Sequence, residues 1–286
     1  MKEIILKSCK STMKQWRILI WVYFIQLAVV LFLGIQYHDI LKDRFSYTLD
    51  FRKLILHYDH TIINDFLNTH WPSITNLFNQ LKYLILIWLL LSIFLDGGLV
   101  FAATQKEQLT VKQVYKKASA YYFSFLKMAI IYLTIAAIWT SLVFLPLASN
   151  LEACIRYFSS EKYALWLIAL IIIIWIKGMA ILFAWSISSR VIKLEQDVSI
   201  FQSLKYGWNI LIKNKTKTIL ILVLLIFIHL MLLWLYITLE SSTGMTSPLL
   251  VFIFFILQQC FVFLRIGLRQ SVYTGIALLH PSKRLE

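Results

Sequence analysis

The 286-residue chain is 60% hydrophobic, and its 28 Lys and Arg outnumber its 14 Asp and Glu, for a formal net charge of +14. So large an apolar share, gathered in runs near or above the roughly 18 residues needed to cross a bilayer, excludes a soluble globular fold. The basic excess is then an affinity for anionic lipid headgroups, and nucleic acid is not its partner.

In chain order the apolar runs predict six spans: Ile18 to Ile35, Tyr83 to Thr104, Met128 to Leu147, Tyr163 to Ile187, Thr218 to Leu239 and Leu249 to Leu264, the last continuing toward His280. They are helices, because hydrocarbon makes each segment satisfy its own backbone hydrogen bonds and the alternation of an outer-membrane strand is absent. The fold class is all-α, a polytopic transmembrane bundle forming one membrane domain with short interfacial amphipathic helices.

The first span follows a basic stretch, Lys7 to Arg17, and no small-x-small cleavage site follows Ile35, so it reads as a retained helix. The loop from Gln36 to Lys82 mixes Phe45, Phe51, Ile62 and Phe66 with charges and is broken at Trp71-Pro72, which predicts one or two short helices on the outer interface. After span two, Thr110 and Gln113 form a capping box that opens an amphipathic stretch, 110–127, with Val114, Ala118, Tyr121, Tyr122 and Phe125 on one face. Ser199 and Gln202 form another before 199–215, where Phe201, Leu204, Trp208, Leu211 and Ile212 face away from Lys205, Lys213 and Lys215. Both stretches read as interfacial helices, apolar face in the acyl boundary and lysines at the phosphates. A basic amphipathic lead-in thus precedes spans one, three and five, the outline of three hairpin repeats.

With the N-terminus inside, the inner segments hold 20 Lys and Arg and the outer loops 7. The positive-inside rule then places both termini in the cytoplasm.

Charges within a span cost at least about 2.5 kcal/mol at a helix centre, so each requires a partner or a task. Asp96 and Lys177 lie at similar depth when counted from the outer ends of parallel spans two and four, which predicts an ion pair. Gly97, Gly98 and Gly178 beside them permit close helix approach. Gln26, His229, Gln258 and Gln259 are further polar residues within spans, either interhelical hydrogen-bonding groups or the lining of a pathway. Arg265 and Arg269, one turn apart near the inner interface, are expected to snorkel to phosphates.

His57, Asp59, His60, Asp65 and His70 cluster in the outer loop without a metal-site motif, and they read as a solvated or headgroup-contacting surface. Cys9, Cys154 and Cys260 form no expected disulfide or metal set. No metal or cofactor is implied. There is no nucleophile elbow, P-loop or dinucleotide fingerprint, and Asp96-Gly97-Gly98 lacks the second acidic motif of an intramembrane aspartyl protease, so no enzyme activity is expected.

Gly97-Gly98, the capped helix carrying Tyr121, Tyr122 and Phe125, then Arg190, Leu194-Glu195, Ser199, Leu204 and Trp208, and finally Gln259, Arg265 and Arg269 form a pattern from Tyr83 onward. It resembles a broad group of six-helix bacterial membrane proteins related to YciC-type proteins and to the membrane domain of some glycerophosphodiester phosphodiesterases. The resemblance implies a six-helix membrane fold and no particular activity, since no phosphodiesterase domain is attached. The expectation is a non-enzymatic membrane component that binds anionic inner-leaflet lipid, a partner protein or a second copy. The alternative is a permease-like transporter of a small or amphipathic substrate, its path lined by Asp96, Lys177, His229 and Gln259.

Overall fold

Lipid offers no hydrogen bonds to a peptide group, and the chain answers with helices. The computed structural model describes residues 2–45, 60–105, 107–150, 157, 161–243 and 247–279. The elements in chain order are α1 (Lys2–Lys14), α2 (Trp16–Phe45), α3 (His60–Thr104), α4 (Val111–Ser149), α5 (Glu161–Gln196), α6 (Ile200–Lys213), α7 (Lys215–Thr243) and α8 (Pro248–Ala277). Six of them hold a stretch long and apolar enough to span a membrane: Trp16–Gln36, Phe78–Thr104, Val111–Ser149, Leu165–Gln196, Lys215–Thr243 and Leu249–Ala277. The protein is therefore an all-α, multi-pass membrane protein.

Local chemistry sets the helix starts. At α4 the Gln113 amide donates to Thr110 Oγ1 at 3.4 Å and the Thr110 amide donates to Gln113 Oε1 at 2.9 Å. At α6 the Gln202 amide donates to Ser199 Oγ at 3.4 Å and the Ser199 amide to Gln202 Oε1 at 3.3 Å. Each box satisfies two amides that a helix start otherwise leaves unpaired. At α8, Ser247 accepts from the Leu250 amide and Pro248 occupies the first turn, where its missing N–H costs nothing.

The three lead-ins end differently. Single residues, Gln15 and Asn214, separate α1 from α2 and α6 from α7. The stretch 110–127, by contrast, is no separate helix: α4 runs unbroken from Val111 to Ser149. Its buried residues Val114, Ala118, Phe125, Met128, Ala129 and Tyr132 form one stripe through position 127, and no glycine or proline interrupts the helix before Pro146.

The outer loop also differs from expectation where it is described. Helix α2 continues to Phe45, and residues 60–77 are the opening turns of α3. At 45 residues, α3 is about 68 Å long, more than twice the hydrocarbon thickness of roughly 30 Å. Pro72 lies inside it, and the Thr75 hydroxyl donates to the Trp71 carbonyl at 2.7 Å. Asn68, whose carbonyl loses its amide donor to Pro72, is exposed, so water or headgroups replace that bond.

Nearly all buried residues lie toward one end of the bundle, the basic end that holds α1 and α6. The core joins Ile18, Leu19 and Val22 of α2, Leu95 to Ala103 of α3, Ala184, Ile187 and Val191 of α5, Ile221 to Leu225 of α7 and Ile266 to Ala277 of α8. Helix α8 is central and touches α1, α2, α3, α5 and α7. The other halves of the spans expose Phe32, Leu86, Leu142, Ile173, Phe227 and Phe252. Lipid tails are as apolar as these side chains, so no hydrophobic force draws them together.

Candidate functional site

The site grows from Asp96-Gly97-Gly98 on α3. A Cβ at Gly97 would lie 2.8 Å from Phe125 Cδ2, and one at Gly98 would lie 2.9 Å from Val114 Cγ1, so these glycines let α3 lie directly on α4. Phe125 is thereby held in the core, and the Arg190 guanidinium of α5 sits over its ring at 5.9 Å from the centroid. Asp96, one residue before Gly97, faces the same junction of α3, α5 and α8.

There Asp96 meets two cations. Arg269 Nη2 of α8 donates to Asp96 Oδ2, and its Nε donates to the Tyr273 hydroxyl at 2.8 Å. That hydroxyl donates in turn to Asp96 Oδ1 at 3.2 Å, so both carboxylate oxygens are engaged. Arg190 Nη1 stands 3.8 Å from Asp96 Oδ2, beyond hydrogen-bond reach. The Asp96 and Arg190 side chains are 12% and 11% exposed, whereas the Arg269 side chain is 36% exposed. Two guanidinium groups face one carboxylate, which leaves one uncompensated positive charge in a poorly solvated place. Arg190 makes no hydrogen bond to any described residue, and its Nε is buried without a partner.

A second set of polar contacts ties down the helices around this junction. Tyr132 of α4 donates to Ser189 Oγ of α5 at 2.8 Å, and Trp185 Nε1 donates to the Leu204 carbonyl of α6 at 2.9 Å. A Cβ at Gly207 would fall 2.3 Å from Ser189 Oγ, so α6 is pressed against α5. Asp197, with φ 47°, takes the left-handed conformation that ends α5, and Lys193 Nζ holds the turn through Asp197 Oδ1 and the Val198 carbonyl, both at 2.9 Å. Between α1 and α2, Gln15 donates to the Glu107 carbonyl at 2.7 Å and accepts from the Leu109 amide at 3.2 Å, and Thr12 of α1 accepts from Ser271 of α8.

Helix α6 presents three faces. Ser203, Leu204, Gly207 and Leu211 are buried. Phe201, Trp208 and Ile212 form an exposed apolar flank, and Lys205 and Lys213 are exposed beyond it. The single apolar face expected from sequence is thus divided, Leu204 and Leu211 packing inward while the other three stay outside. Lys215 and Lys217 at the start of α7 and Arg265 on α8 are exposed as well.

Lys177 does not reach Asp96. It is exposed on α5 and makes no ion pair among the described residues, and it lies about 20 Å along the helix from Arg190, which occupies its expected place. The outer ends of spans two and four were a false common origin, because α3 begins at His60 and α5 at Glu161. Measured from the basic ends, Thr104 and Gln196, Asp96 and Arg190 lie about 12 and 9 Å deep and Lys177 far beyond both. Arg269 turns to Asp96 instead of reaching outward alone, while Arg265 stays exposed.

Gly178 does serve close approach, but against Trp139, whose indole would lie 2.2 Å from an added Cβ. Gln259 accepts from Tyr23 of α2 at 2.7 Å, His229 stacks on Phe261 at 5.3 Å, Gln26 is half-buried and Gln258 exposed. None of these shares a hydrogen bond or ion pair with another or with Asp96, so the span polar residues stay dispersed. The side chains of His57, Asp59, His60, Asp65 and His70, and Cys154, lie outside the described residues. Cys9 and Cys260 are free.

Arg190 and Tyr273 escaped the sequence reading as site residues. The signal for Arg190 was present in Ser188-Ser189-Arg190, a polar triplet closing an apolar run, and all three are buried. For Tyr273 the signal was its place as the only tyrosine of the last helix, four residues after Arg269 and so on the same face. No protein-family model, curated protein or solved structure matches this chain.

Proposed function

We propose that this protein is a non-enzymatic component of the bacterial cytoplasmic membrane whose basic end, turned to the cytoplasm, binds anionic lipid headgroups. The observation that carries the reading is the three-faced α6, locked to α5 through Gly207 and Ser189, with an exposed apolar flank beside exposed lysines. Such a helix buries Phe201, Trp208 and Ile212 among acyl chains and keeps Lys205 and Lys213 at the phosphates. Lys215, Lys217 and Arg265 extend the same charge. The dispersal of Lys177, His229 and Gln259 speaks against a polar pathway through the spans.

The test is a lipid-competition measurement on the intact chain in bilayers of phosphatidylglycerol and phosphatidylcholine. Each lysine near an anionic surface contributes up to about 1 kcal/mol. The triple variant Lys205→Gln, Lys213→Gln, Lys215→Gln is therefore expected to lose several-fold in selectivity for phosphatidylglycerol. Unchanged selectivity in that variant ends the proposal.

A further inference from the structure

We infer that Arg190 and Arg269, at the junction of α3, α5 and α8, form a discrete binding site for one singly charged phosphate diester, with Asp96 as the built-in counter-ion that orients them. The inference deepens the lipid-binding reading and rests on it for placing this end of the bundle among headgroups.

Charge count is the first argument. A structural ion pair needs one arginine for Asp96, and Arg269 already supplies it by direct hydrogen bond, with Tyr273 engaging the other carboxylate oxygen. Arg190 is then a second buried cation that Asp96 attracts from 3.8 Å without bonding. An uncompensated buried charge is expensive, and one monoanion brings the junction to neutrality.

Donor geometry is the second. Arg190 carries five N–H donors in a planar fork, its side chain is only 11% exposed, and it donates to no described residue; with Nε enclosed and unpartnered, the two Nη groups are the donors left for a ligand. The guanidinium lies over the Phe125 ring at 5.9 Å from its centroid, so it has an aromatic neighbour there and no hydrogen-bond acceptor. Phosphate oxygens match such a fork, and two arginines on different helices can share the two free oxygens of a diester.

Access and depth complete the argument. The Arg269 side chain is 36% exposed, so one of the two arginines reaches the surface of the bundle. Asp96, Arg190 and Arg269 all lie about 9–12 Å from the basic ends of their helices, the level of the headgroup and acyl boundary once those ends project into water. A phospholipid phosphate meets this level directly, whereas a soluble diester must enter from the aqueous side.

The experiment uses the full chain purified in an uncharged detergent and counts bound phosphatidylglycerol by native mass spectrometry, with phosphatidylcholine as the zwitterionic comparator. Dimethyl phosphate and inorganic phosphate serve as soluble competitors. Wild type is expected to retain one phosphatidylglycerol in preference to phosphatidylcholine. Arg190→Lys keeps the charge and loses the fork, and is expected to weaken that adduct at least tenfold with little effect on folding; Arg190→Gln should abolish it. The Lys205, Lys213, Lys215 triple variant is expected to keep the single adduct, which separates this site from the diffuse headgroup contacts. Displacement of the lipid by millimolar dimethyl phosphate would assign a soluble diester as the ligand, and resistance would assign the lipid. Equal retention of phosphatidylglycerol by wild type and Arg190→Lys, or no preference of wild type over phosphatidylcholine, would overturn the site. Loss of selectivity in the lysine variant alone leaves the site standing.

Discussion

Asp96 carries the charge balance of the basic end, which makes Asp96→Asn the most informative single substitution. At 3.8 Å and an effective dielectric of about 20, the attraction between Arg190 and Asp96 is about 4 kcal/mol. Asparagine keeps the shape and can still accept from Arg269, but it leaves two guanidinium groups facing each other without a carboxylate. Removing one partner of a buried pair costs about 3–5 kcal/mol, the same range. Thermal unfolding of the intact protein in an uncharged detergent should show this as a melting temperature about 10 °C below wild type. Lys177→Gln, at an exposed position, is expected to stay within about 2 °C. Exchanging the charges, Asp96→Lys with Lys177→Asp, should rescue nothing. A variant with Asp96→Asn that melts with wild type, or a Lys177→Gln as damaging as Asp96→Asn, would refute the assignment of Arg190 and Arg269 as the partners.

Two further substitutions probe what holds the basic end together. Gly207→Ala puts a methyl group 2.3 Å from Ser189 Oγ and 2.9 Å from the Ser189 amide nitrogen, so α6 must shift, at an overpacking cost of about 1–3 kcal/mol. The melting temperature should fall by several degrees, and Ser189→Gly in the same background should recover only part, because the backbone obstacle remains. Gln15→Ala removes both hydrogen bonds to the connection between α3 and α4, worth about 1 kcal/mol each. Amide hydrogen exchange at Leu109 should accelerate severalfold in that variant, and protection equal to wild type would argue against the clamp.

What the sequence by itself determined is what lipid and local hydrogen bonding dictate. Six runs of apolar residues must be helices wherever hydrocarbon is the solvent, and a Thr or Ser with a Gln three positions later satisfies the same two amides in any context. Both capping boxes and all six spans were legible for that reason, as were Gly97, Gly98 and Gly178 as points of close approach. Tertiary structure decided which face of α6 turns inward, because Gly207 is small enough to lie against Ser189, a fit that a count of apolar residues does not register. It also decided the partner of Asp96. Depth along a span depends on where each helix truly ends, and α3 and α5 overrun the apolar runs by different lengths, so Arg190 and not Lys177 shares its level. Arg269 joins it because the last helix occupies the centre of the bundle. Period and composition say nothing of that position, since lipid and protein neighbours favour the same apolar residues.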